Sequence, residues 1–155
     1  METTSTSDAQ AADSDRRVDV LLARYGLSHR NPVNEAIHCV AIPLIVLSLL
    51  GMLYALHPWV AYAVVLGSLV YYARLSAVFL VTMAVMSALS LVVVRAMGSW
   101  VLPLSVAIFV LAWIAQFVGH RIEGRKPSFF EDLQYLLVGP LFVLSLLFRQ
   151  LGWRW

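Results

Sequence analysis

Charge is scarce in this chain. Only 13% of its 155 residues are Asp, Glu, Lys or Arg, against roughly 25% in soluble domains, and 61% are hydrophobic. That balance excludes an ordinary soluble globule, and a formal charge of +2 provides no basic surface for nucleic acid. Cysteine is nearly absent too. Cys39 stands alone, so neither an intrachain disulfide nor a Cys-rich metal site can exist, and a small buried residue at a helix start is the expectation for it. Internal repeats, low-complexity tracts and a second domain are not evident. The first 15 residues, METTSTSDAQAADSD, have no apolar core and so read as a disordered tail and not as a signal peptide. Residues 16–155 remain as a single membrane-embedded domain.

What the chain does have is long apolar runs, at about 37 to 56, 58 to 73, 75 to 94, 100 to 119 and 133 to 149. Most approach the roughly 20 residues that a helical span requires. The expected fold is an all-α polytopic membrane bundle of about five transmembrane helices plus an N-terminal amphipathic helix. In RRVDVLLARYGL, Val18, Leu21, Leu22 and Tyr25 fall on one helical face with arginines opposite, which predicts a helix lying on the membrane surface and ended by Gly26. Asn31-Pro32 then reads as an N-cap with proline at the first helical position. Runs two and three are separate spans joined at Arg74, because an Arg at a helix centre costs roughly 2.5 to 3.5 kcal/mol on insertion scales. Pro103 and Pro140 lie inside expected spans as candidate kinks. Met83, Met86, Phe109 and Trp113 read as packing or lipid-facing groups, and Trp100, Trp153 and Trp155 as an interfacial belt.

The basic residues assign an orientation. Under five crossings, eight fall on one side (Arg16, Arg17, Arg24, Arg30, Arg74, Arg121, Arg125 and Lys126) and three on the other (Arg95, Arg149 and Arg154), which predicts a cytoplasmic N-terminus. An even number of crossings then separates His38 from His120, so both return to one membrane face. His57, beside Pro58 and Trp59, falls on the opposite face and reads as a structural loop residue.

Polar residues crowd the two ends that meet. In SHRNPVNEAIH, Asn34 and His38 are four apart and share a helix face, with His29 before the Asn-Pro break. In AQFVGHRIEGRKP, Gln116 and His120 are again four apart and Glu123 follows three later. Gly119 has no side chain and would admit a neighbouring helix closely. Three imidazoles and a carboxylate converging at a membrane interface suit a divalent first-row metal, with Asn, Gln or Glu orienting the rings. Imidazole serves iron, zinc, copper and nickel alike. Arg121, Arg125 and Lys126 sit where a fatty carboxylate would arrive from the bilayer surface, and they equally suit topology anchors.

HRNPVNEAIH, an apolar run containing IPL, then YYARL, WIAQFVGHRIEGRKP and LLVGPLFVL together resemble the membrane-bound 2-hydroxy fatty acid dioxygenases of fungi and their small bacterial relatives, over about residues 16 to 149. The resemblance implies an iron(II)-dependent enzyme that uses molecular oxygen to shorten a 2-hydroxy fatty acid by one carbon, as in α-oxidation. It carries over to His29, Asn34, His38, Gln116, His120, Glu123, Lys126 and Pro127. Arg30 stands where the fungal pattern has a second histidine, and Glu131-Asp132 where it has Asp-Asn. On this basis His29, His38 and His120 are the expected metal ligands. Glu123 is a further ligand or a base, Asn34 and Gln116 orient rings or substrate, and Lys126, Arg125 or Arg121 meets the carboxylate. A bacterial inner membrane is the expected location. Two competing readings use the same residues: a metal-dependent lipid hydrolase with a zinc-bound water, and a non-catalytic transporter or assembly protein with an ion path. The second needs polar groups through the bilayer, and between His38 and His57 the first span offers Ser48 and Tyr54.

Overall fold

A computed structural model describes residues 17–26, 31–124 and 135–153. The described residues are all-α. Helix α1 covers residues 17–26, and four apolar helices follow: α2 (Pro32–Leu56), α3 (Pro58–Ala73), α4 (Ala77–Ala96) and α5 (Val101–Glu123, entered through a 3-10 turn at Gly98–Trp100). Helix α6 (Val138–Leu151) closes the bundle. Three segments, Pro32–Leu56, Ala77–Ala96 and Gly98–Glu123, are long and apolar enough to cross a bilayer. Helices α3 and α6, with 16 and 14 residues, are about 24 and 21 Å long at 1.5 Å per residue, less than a hydrocarbon core of roughly 30 Å.

The helix boundaries follow local chemistry. Asn31 caps α2, its side chain accepting from Val33 N at 2.9 Å, and Pro32 takes the first turn, where an N–H would have no acceptor. His57 caps α3 by accepting from Trp59 N at 3.3 Å, which is the structural role expected of it. Arg74 sits exposed at the tight turn between α3 and α4.

Several expectations need correction. Pro103 and Pro140 kink nothing, because each is the third residue of its helix, within the first turn, where no i−4 hydrogen bond is lost. The last helix starts at Val138 and not near 133, since Tyr135–Leu137 form a turn whose Tyr135 carbonyl accepts from Val138 N and Gly139 N. The proline that does lie inside a helix is Pro43 of α2. Cys39 is half-buried and not fully enclosed. The apolar stripe of α1 faces protein: Val18, Leu22 and Tyr25 are buried in one core with Phe79, Leu141 and Phe142, among others. The membrane surface is therefore not what covers it.

Helices α2 and α5 form the centre of the bundle. Asn34, His38, Ala41, Ile45 and Ser48 share one face of α2, and Ser105, Ala112, Gln116 and Gly119 share one face of α5. The helices run antiparallel, as two small-residue contacts at opposite ends show. A Cβ on Gly51 would run into Ser105 Oγ, and a Cβ on Gly119 would run into Asn34 Oδ1. Such close approach is how helices pack where lipid provides no hydrophobic drive. Tyr72 adds a hydroxyl bond of 2.9 Å to the Leu137 carbonyl, tying the end of α3 to the start of α6. Most of α6 is enclosed, whereas Val64, Leu66, Val81, Val85, Val106 and Val110 point outward from α3, α4 and α5 as a lipid-facing surface would.

Candidate metal centre

The N-terminus of α2 and the C-terminus of α5 meet at the polar cluster. Asn31 is the N-cap, so Asn34 is the third helical residue, the position at which a glutamate commonly reaches back to the cap's own N–H. Here that acceptor comes from the other helix. Glu123 Oε2 accepts from Asn31 N at 2.9 Å and from Asn34 Nδ2 at 3.1 Å. A carboxylate at a helix N-terminus is also favoured by the helix dipole. Helix α5 then stops at Gly124, whose φ of +76° is left-handed and suits glycine.

Behind this clamp lie two imidazoles. His38 is fully buried and His120 nearly so. Their ring centroids are 4.9 Å apart with the planes at 84°. His38 Nδ1 lies 2.9 Å from the Asn34 carbonyl oxygen. A carbonyl only accepts, so Nδ1 must carry the proton, and the lone pair of the neutral ring is on Nε2. A metal-binding histidine is typically oriented in this way, with its second nitrogen donating to a backbone carbonyl. The Nε2 atoms of both rings are buried. Two imidazoles sharing one first-row ion through bonds of about 2.1 Å have centroids roughly 5 Å apart, so the observed separation fits the group. The donor set does as well, since neutral imidazole nitrogen suits iron, zinc, copper and nickel.

Among the described residues no group of three or more His, Cys, Asp or Glu could hold a metal by itself. His29, the third expected ligand, lies outside them, as do Arg125, Lys126, Pro127 and Trp155. Residues 1–15 and Arg30, Glu131 and Asp132 also lie outside. Of the expected site residues, the structure brings together Asn34, His38, His120 and Glu123. Gln116 is one turn deeper, and Arg121 is exposed on the last turn of α5.

Residues 16–151 match the family described as 2-hydroxy-palmitic acid dioxygenase Mpo1-like. The chain belongs to this family. Among relatives of the Mpo1-like chain is the 2-hydroxy-palmitic acid dioxygenase MPO1 of Saccharomyces cerevisiae, 28% identical over 138 residues that cover 84% of this chain and 79% of the yeast protein. No solved structure matches.

Sequence reasoning missed one part of this region. Tyr25, Trp113 and Tyr135 join Gln116 around a cavity of about 20 Å³ between α1, α2, α5 and the start of α6. Trp113 stands three residues before Gln116 and therefore shares its face, a signal present in the spacing. Tyr25 carried no such signal, because the reading of α1 assigned its face to the membrane.

Proposed function

We propose that this Mpo1-like protein is an iron(II)-dependent dioxygenase that acts on 2-hydroxy fatty acids and shortens them by one carbon. The observation that carries the reading is the buried His38 and His120 pair, with the His38 tautomer held by the Asn34 carbonyl. The named activity of the yeast relative supports the substrate class. His38 and His120 hold the ion with His29 as the third ligand. When bound, iron(II) supplies dioxygen activation next to the substrate's 2-hydroxy carboxylate. The protein's own contributions are positional. Asn34 orients His38 through its carbonyl, and Glu123 fastens the two helix ends that carry the imidazoles. Arg121, Arg125 and Lys126 receive the carboxylate at the membrane surface while the acyl chain stays in lipid. Five crossings, with the N-terminus and the site on the cytoplasmic face of a bacterial inner membrane, complete the reading.

The test is iron content and oxygen uptake with 2-hydroxypalmitate on anaerobically purified protein. Stoichiometric iron and substrate-dependent oxygen consumption are expected, with both lost in His38→Ala and His120→Ala. Variants that keep stoichiometric iron and consume oxygen would overturn the assignment. Zinc in place of iron, without oxygen uptake, would make the protein a hydrolase candidate.

A further inference from the structure

The cavity lies one turn deeper in the bundle than the imidazoles, since Ile42 follows His38 by one turn on α2 and Gln116 precedes His120 by one turn on the antiparallel α5. Its volume of about 20 Å³ exceeds the roughly 10–15 Å³ needed to hold one water. Gln116 is only 3% exposed, and its Oε1 is enclosed without a hydrogen-bond partner among the described residues. A buried carbonyl oxygen left unpaired is destabilising, so such a group in a native core calls for a ligand. The walls match that need: Tyr25, Trp113 and Tyr135 each combine an apolar ring with a polar edge, while Ile42 and Gly139 complete an otherwise apolar surface.

We propose that this cavity is a hydroxyl pocket, a binding site for one hydrogen-bond-donating oxygen with Gln116 Oε1 as acceptor. The oxygen comes either from a resident water or from the hydroxyl of a 2-hydroxy acid. The second source rests on the oxygenase reading and the first does not. Space for a single oxygen limits the occupant to a hydroxyl-sized group, and the unpaired Gln116 Oε1 favours a hydrogen-bond donor over a methylene.

The experiment uses the full-length protein in lipid nanodiscs. Water-to-amide transfer is measured by NMR at the Gln116 side chain, alone and with palmitate or 2-hydroxypalmitate, and the two acids' dissociation constants are measured on wild type, Gln116→Leu and Gln116→Asn. A water signal that persists with either acid, with affinities equal within about twofold, identifies the water. A signal displaced by 2-hydroxypalmitate alone, with that acid bound about tenfold more tightly and the preference abolished in Gln116→Leu, identifies the substrate hydroxyl. Gln116→Asn keeps the carboxamide and retains part of either signature, which separates loss of the acceptor from loss of the fold. Absence of a water signal together with a Gln116→Leu preference equal to wild type would overturn the proposal. Failure of the oxygenase reading shows separately, as a water signal without any oxygen uptake.

Discussion

Substituting Gly119 by alanine tests whether close helix approach builds the site. The added methyl would meet Asn34 Oδ1, and Asn34 Cγ and Ile37 Cγ2 lie 3.4 Å from it. Asn34 cannot simply swing away, because it is fully buried and its Nδ2 is bonded to Glu123. Helix α2 must move instead. Overpacking of this kind costs about 1–3 kcal/mol, offset by roughly 1 kcal/mol of helix propensity gained when Gly becomes Ala. Gly67 in the middle of α3 is the control, since nothing lies within 4 Å of a Cβ there. Gly67→Ala gains the propensity alone, so the two variants should differ in unfolding free energy by about 1–3 kcal/mol. Unfolding in one detergent and iron per chain after anaerobic loading are the measurements. Gly119→Ala should be the less stable variant and lose iron, because moving α2 separates rings now 4.9 Å apart. Equal unfolding and equal iron in the two variants would refute the reasoning.

Other substitutions separate structural from chemical roles. Glu123→Ala strands the Asn31 N–H and Asn34 Nδ2 and should cost about 1.5–3 kcal/mol, the range for hydrogen bonds to a charged group, measured by urea unfolding. Glu123→Gln keeps an acceptor oxygen, so a variant retaining most oxygen uptake marks Glu123 as a clamp, and one that folds normally but is inactive marks it as a base or ligand. Tyr72→Phe removes the bond to the Leu137 carbonyl and should lower stability by about 1 kcal/mol, with iron content unchanged. His57→Ala removes the α3 cap and should cost about 0.5–2 kcal/mol, again with full iron, in contrast to His38→Ala.

Features set by neighbouring residues were legible in the sequence. The starts of α2 and α3 follow from a polar residue before proline, and the α3–α4 turn follows from the expense of burying Arg74. The pairings Asn34 with His38 and Gln116 with His120 are properties of helical spacing, and Gly119 signalled close approach. Contacts across the chain were less accessible. Helical periodicity shows which residues of α1 share a face, but both lipid and a protein core accept Val18, Leu22 and Tyr25, so hydrophobicity does not choose between them. The Glu123 clamp joins residues 92 apart in sequence, and nothing local distinguishes such a carboxylate from a ligand. Pro140 was misplaced because hydropathy marks where a run is apolar, about 133, not where its first helical turn begins, at Val138. Pro103 already lay three residues into its run and needed only the first-turn rule.

The Glu123 clamp bears on how the protein is made. His38 leaves the ribosome well before its partner imidazole: the intervening stretch of roughly 80 residues takes on the order of 4 to 16 s to synthesise. During that interval α2 has neither its cross-chain cap nor the second ring. Under the proposed iron-dependent function, metal capture would then be a late step of biogenesis, and a nascent chain arrested before α5 is released should emerge without bound iron.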